Sequence, residues 1–238
     1  MSNAYFKFRK FTIQQNLCAM KVGTDGVLLG AWASADSPRH ILDVGTGTGL
    51  IALQLAQRYP QARVTAVEID TAAAGQAAEN FAASPWNERL SVERNDFRQY
   101  VPDTYFDLIV SNPPYFVDAL KCPDRQRNQA RHAGSLSYEL LFGRSVQLLA
   151  PQGAVCIILP TDLERHAADV AWHYRLYPET RLRVFTKPGK PCRRTLLRFT
   201  AETARLHEQE LCIMTASGEY SPEYIALTKD FYLFGKSL

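Results

Sequence analysis

Apolar positions along the chain fall into short runs, most of them separated by longer stretches with helical spacing. Residues 40–44 read as a strand, and 50–56 follow with apolar residues gathered on one helical face. The pattern repeats with a strand at 63–70, a helix at 72–83 and a third strand at 90–97. The continuous apolar run from Phe106 to Val110 then reads as a strand buried on both faces. Residues 137–149 form a helical stretch stopped by Pro151 and Gly153, 154–159 form a further buried strand, and Thr161 or Asp162 caps a helix running to about residue 175. Two strands, 181–185 and 195–199, enclose a polar connection.

Strands joined through helices in this way run parallel, because a parallel pair needs a crossover, and helices on both faces give a doubly wound α/β sheet. Short additions flank it. Residues 5–9 alternate like a strand, and 27–33 form a helix for which Thr24 or Asp25 is the N-cap. At the other end, 211–215 predict a last short strand, and Pro222 opens a helix ending near residue 234. With 238 residues, 46% of them hydrophobic, the chain suits one core rather than two. A single domain over 1–238 is expected, with a strand and helix extension at 1–38, a core at 39–200 and a terminal strand and helix at 201–238.

In such a sheet, ligands bind beyond the carboxyl ends of the strands. Asp43 precedes a turn with Gly45, Thr46, Gly47 and Gly49, whose glycines let the backbone bend sharply and let a ligand approach the amides without meeting a Cβ atom. The spacing is G-x-G-x-G, not the G-x-G-x-x-G of dinucleotide binders. Glu68, at the end of the next strand, can accept hydrogen bonds from both hydroxyls of a ribose. Asp70 either caps the following helix or shares that role. The third strand offers Asp96, with Phe97 as a packing surface, although an aspartate at a strand end is also a common turn former. The fourth ends in Asn112-Pro113-Pro114-Tyr115, where neither proline can donate to a ladder, so the strand must stop and the turn is held rigid.

Charge adds a possible partner. The net charge of +3 is small, but cations concentrate at Lys121, Arg125, Arg127 and Arg131, and again at Lys187, Lys190, Arg193 and Arg194. Both segments suit a phosphate backbone, the alternative being two solvated loops. Five cysteines without a C-x-x-C pair or a histidine cluster argue against disulfides and zinc, and no run approaches the length of a membrane span. A cytoplasmic, metal-free monomer is the expectation.

Taken together, Asp43 with its glycine turn, the strand-end acids and the Asn-Pro-Pro-Tyr turn resemble the class I S-adenosylmethionine methyltransferases over roughly residues 20–200. That resemblance implies a seven-stranded, Rossmann-like sheet closed by one antiparallel strand, with S-adenosylmethionine held by Asp43, Gly45, Thr46, Gly47, Gly49, Glu68, Asp96 and Phe97. It also implies that the Lys21-x-x-Thr24-Asp25 segment closes over the donor's carboxylate, and that Asn112 contributes to the donor site. Asn112 and the Pro113 carbonyl would accept hydrogen bonds from a planar amine while Tyr115 stacks on its ring. The same four residues occur in release-factor glutamine, guanine 2-amino and adenine DNA enzymes, but those carry a helical domain, a duplicated domain or a target-recognition region that finds no counterpart here. The layout from Lys21 to Trp32, the basic loop after Tyr115 and the 220–234 tail are most similar to the bacterial adenine-N6 methyltransferases of valine tRNA. A non-catalytic RNA-binding module of the same fold is the competing class.

Overall fold

The computed structural model describes residues 3–18, 21–114 and 136–234. Its central strands are apolar because both of their faces are covered. β3 (His40–Val44), β6 (Phe106–Ser111) and β7 (Leu149–Pro160) lie side by side, and their residues alternate between two cores. Ala154, Cys156 and Ile158 of β7 point to one core, and Val155, Ile157 and Leu159 to the other, as the two-residue period of a strand requires. The first core takes in α1 (Thr24–Trp32), α2 (Leu50–Arg58) and residues from both ends of the chain. The second takes in α4 (Tyr138–Leu148) and α5 (Glu164–His173), with Phe106, Phe142 and Phe199 fully buried.

Among the described residues, β4 (Arg63–Glu68) and β5 (Leu90–Arg94) extend the sheet on one side, and α3 (Thr71–Ala82) connects them. On the other side lie β9 (Arg194–Thr200), β8 (Tyr177–Phe185) and β10 (His207–Cys212). The order is β10-β8-β9-β7-β6-β3-β4-β5, with β9 antiparallel to both of its neighbours and every other pair parallel. The seven expected strands are present, closed by the expected antiparallel one. An eighth, β10, joins β8 in parallel and starts before the expected position. A small separate hairpin, β1 (Tyr5–Lys7) with β2 (Thr12–Gln14), precedes the sheet, and α6 (Pro222–Thr228) follows it.

Several boundaries differ from the sequence reading for local reasons. α1 starts one turn early, at Thr24, and its N-cap is Gly23 without a side-chain bond; neither Thr24 nor Asp25 caps it. Thr161 and Asp162 sit in a short 3-10 turn before α5 and cap nothing, because the Thr161 hydroxyl is taken up by the side chains of Cys192 and Thr195. β7 begins at Leu149 and runs through Pro151, because its pairing with β6 jumps from Phe106↔Leu149 to Leu108↔Ala154 and the intervening residues bulge out of the ladder. Gly153 is needed there, since a Cβ would lie 2.8 Å from the Phe106 carbonyl oxygen. Asp70 does cap α3, accepting from the Ala73 amide at 2.8 Å. Among the described residues no helix is long and apolar enough to cross a membrane.

Asn80 of α3 ties the hairpin to this frame. It accepts from the Gln14 amide at 2.8 Å and donates to the Gln14 and Thr48 carbonyls at 2.9 and 2.8 Å, from a buried position. Asn80→Ala leaves three backbone groups without that partner, a loss of about 2–3 kcal/mol. In a chain of this length that lowers the melting temperature by about 4–10 °C in a thermal denaturation scan. A shift under about 2 °C would show that water replaces the amide at little cost.

Candidate active site at the carboxyl edge

β6 delivers the proline turn to the carboxyl edge of the sheet. The buried Ser111 hydroxyl donates to the Val44 carbonyl at 2.8 Å and so fastens β6 to β3 at the point where both strands end. Asn112 follows half-buried, Pro113 is buried and Pro114 is exposed. Tyr115, Lys121, Arg125, Arg127 and Arg131 lie outside the described residues.

Asn112 lines a cleft of about 340 Å³ together with Lys21, Thr24 and Asp25 at the start of α1 and Gly45, Thr46 and Gly47 of the glycine turn. A second cavity, about 60 Å³, is lined by Gly45, Glu68, Asp96 and Phe97, with Leu136 and Leu140 beside them. Gly45 borders both. The structure thus brings together most of the residues that the sequence singles out for a nucleoside-containing cofactor.

The turn between β3 and α2 is held from below and from the side. Asp43 is fully buried; one carboxylate oxygen accepts from the Thr46 hydroxyl at 2.6 Å and the Ala52 amide at 3.1 Å, and the other has no hydrogen-bond partner. Burial pushes its carboxyl up to about 7, against the pull of the Thr46 bond. Gly45, Gly47 and Gly49 have φ of 72°, 56° and 83°, the left-handed region that favours glycine. Glu68, 8% exposed, accepts from the Gly47 amide at 2.9 Å with one oxygen and the Asp70 amide at 3.0 Å with the other. Its carboxylate is therefore oriented before any ligand arrives.

Asp96 and Phe97 fall beyond the end of β5 rather than on it. The Asp96 carboxylate receives both the Nε and the backbone amide of Arg98, and those hydrogen bonds hold its pKa below the usual carboxylate range. Phe97 is buried in the second core and presents part of its surface to the smaller cavity.

Three features of the cleft were not visible in the sequence pattern. Gln15 is buried; its side-chain oxygen accepts from the Val22 amide at 2.8 Å and its carbonyl accepts from the Lys21 ammonium, fixing the stretch before α1. Asn80 secures the Thr48 carbonyl inside the turn. Arg194, at the end of the basic β8–β9 connection, donates its Nε to Asp25 at 2.7 Å, an ion pair that leans this connection on α1. Lys187, Lys190 and Arg193 belong to the same connection, and Lys190 and Arg193 are exposed. Because β8 is parallel to β7, that connection emerges at the same edge as the cleft, two strands further along the sheet from β7. Among the described residues, no group of His, Cys, Asp and Glu could hold a metal ion.

This arrangement has known counterparts. A protein from Agrobacterium tumefaciens described as a predicted O-methyltransferase superimposes with a TM-score of 0.71, at 18% identity, over 90% of this chain and all of its own, which establishes the fold. The model of the methyltransferase small domain matches residues 22–168. A Bacteroides thetaiotaomicron protein named tRNA1(Val) (adenine(37)-N6)-methyltransferase is 51% identical over 98% of this chain and 99% of its own length. An Aeromonas hydrophila protein of the same name is 45% identical over 97% and 98%. With likeness of this depth running nearly from end to end, the chain belongs to the tRNA1(Val) (adenine(37)-N6)-methyltransferase family, within the methyltransferase small domains.

Proposed function

We propose that the protein transfers a methyl group from S-adenosyl-L-methionine to the exocyclic 6-amino group of adenosine 37 in a valine tRNA. The observation that carries this reading is the near full-length identity to relatives of that name, in a chain whose Asn112 turn lines the same cleft as the glycine turn. Bound there, S-adenosylmethionine supplies an electrophilic methyl group on a sulfonium.

The chain's own residues fit that cofactor. The glycine turn offers backbone without Cβ atoms, and the Glu68 carboxylate, aimed by two amides, has lone pairs left for ribose hydroxyls. The first-turn amides of α1, with Lys21 and Thr24 beside them, give a positive potential suited to a carboxylate. Asp25 would oppose that potential, and its pairing with Arg194 offsets it. Asp96 and Phe97 line the smaller cavity as an adenine slot. Asp43 acts underneath, holding Thr46 and the first turn of α2.

An adenine amine is a poor nucleophile because its lone pair is delocalised into the ring. The Asn112 side-chain oxygen and the Pro113 carbonyl accept its two N–H groups, favour a pyramidal nitrogen and stabilise the positive charge that grows on it during attack. Two prolines fix the turn, so these acceptors do not have to reorganise. Tyr115 stacks on the base, and Lys121, Arg125, Arg127, Arg131, Lys187, Lys190 and Arg193 meet phosphates, with Arg194 contributing where its other nitrogens reach. Cys156, Cys192 and Cys212 take part in no disulfide, and the large exposed apolar side chains among the described residues are spread over several elements and loops, which supports a cytoplasmic monomer.

The direct test is to incubate the purified protein with S-adenosylmethionine and valine tRNA transcript and map the product by mass spectrometry. Methylation at N6 of adenosine 37 is the expected result; methylation of duplex DNA or of a glutamine peptide with tRNA inert overturns the substrate. Asn112→Ala should lower turnover roughly 100- to 1000-fold with donor affinity kept. Tyr115→Phe should retain the stacking that Tyr115→Ala loses, and equal damage from both would assign the role to the hydroxyl. The glycines separate binding from folding: a Cβ on Gly49 would sit 2.5 Å from the Phe81 ring, whereas one on Gly47 meets nothing nearer than the Cys18 sulfur at 3.8 Å. Gly49→Ala should therefore lower the melting temperature through both a clash and its positive φ, whereas Gly47→Val carries the strain of a φ of 56° without a clash and, compared with Gly49→Ala as the control for lost stability, should alone abolish calorimetric donor binding by the folded protein. Unchanged donor affinity in Gly47→Val would remove the turn from the cofactor site.

A further inference from the structure

Tyr220 is an aromatic residue that nothing above employs. It lies in the segment after β10, 49% exposed, and it is braced from behind. Its ring stacks on Tyr224 at 5.2 Å between centroids and 29° between planes, and meets Phe234 edge-on at 5.7 Å. The backbone is fixed as well, through a bridge to Met214 and a turn in which the Thr215 amide donates to the Glu219 carbonyl at 2.8 Å. A tyrosine half exposed and held in this way offers the solvent-facing part of its ring at little entropic cost on binding.

Its neighbour is the basic connection. The Met214 amide donates to the Thr186 carbonyl at 3.0 Å, and the Lys187 ammonium lies 3.2 Å from the position of a Cβ on Gly218, two residues before Tyr220. Lys190 closes the same turn, its amide donating to the Lys187 carbonyl. Glu219 is the acidic group nearby, bonded to the Ser217 hydroxyl at 3.5 Å. Because β10 and β8 both run parallel to β6, the segments that follow them emerge at the edge that carries Asn112, three strand spacings or about 14 Å away for the β8–β9 connection and at least four, about 19 Å, for Tyr220.

We propose that Tyr220, with Lys187 and Lys190, forms a second RNA contact: a platform on which an unpaired base a few nucleotides from the target adenosine stacks while adjoining phosphates meet the two ammonium groups. The distance rules out the target base itself, so the base belongs to another nucleotide of the same loop. Stacking on an aromatic face tolerates any base, so this contact adds affinity and register without adding sequence preference. It rests on the tRNA reading given above.

The test compares tRNA binding over a salt series, steady-state methylation, donor calorimetry and melting for the wild type, Tyr220→Phe, Tyr220→Leu, Tyr220→Ala and Lys187→Ala. Tyr220→Phe keeps the ring and should bind within about twofold of wild type. Tyr220→Ala should bind roughly 5- to 150-fold more weakly, seen as a raised KM with turnover retained at saturating tRNA. Tyr220→Leu fills the space against Tyr224 and Phe234 without a π-face, so it should melt near wild type yet share the binding loss. Lys187→Ala should flatten the salt dependence by about 0.7 in slope. Donor affinity should be unchanged throughout. Wild-type binding by both Tyr220→Leu and Tyr220→Ala overturns the platform and leaves the enzyme assignment standing, whereas a wild-type protein that neither binds nor methylates tRNA overturns both.

Discussion

The carboxylate of Asp43 sits at the centre of the sheet with no solvent around it, and its two donors belong to different elements. Thr46 is in the glycine turn and Ala52 is in α2, so one side chain fixes both the shape of the turn and the start of the helix. From there the constraint passes outward. The turn's Gly47 amide aims Glu68, Glu68 in turn receives Asp70, and Asp70 caps α3. A chain of hydrogen bonds thus runs from a buried acid to the start of two helices and leaves the cleft with acceptors already oriented. An acid whose pKa is raised by burial is tolerated at this point because the geometry it enforces is the geometry of the site.

Around that centre the walls of the cleft are held by different means. The Asn112 turn is stiffened by two prolines and anchored through Ser111 to β3. The wall formed by Lys21 to Asp25 is secured differently, through Gln15 on one side and Arg194 on the other. The second of these bonds crosses 169 positions of sequence, linking the first helix to the β8–β9 hairpin. A cation of the basic β8–β9 connection therefore also bears on the wall of the cleft.

The parts that were legible in the sequence are those with a local cause. Glycines at 45, 47 and 49 announce a left-handed turn, and the apolar runs of β3, β6 and β7 announce strands covered on both faces. Asp70 as a cap follows from its place immediately before a helical pattern. What escaped has causes elsewhere in the chain. Of β10, only Leu211 and Cys212 fell within the strand expected at 211–215; its first four residues, His-Glu-Gln-Glu, are too polar to signal a strand, because as an edge it buries little and pairs on one side only. β2 is three residues long. Gln15 and Asn80 are ordinary amides until folding brings Val22 and Gln14 against them. Arg98 claims the Asp96 carboxylate from two residues away, a short-range competition that strand-end spacing does not reveal.

β10 has one more effect. Without it the sheet would end at β8, and that strand would offer an open row of amides and carbonyls, alternating with Leu182 and Val184, to any other extended chain. With it, the outermost strand presents His207, Glu208, Gln209 and Glu210, and Glu208 pairs with Arg181 across the ladder. A polar, charge-bearing margin pairs poorly with copies of itself, since like charges would come into register. The last strand thus protects the enzyme from sheet-to-sheet aggregation at the crowded concentrations of a cell, a service to solubility independent of methyl transfer.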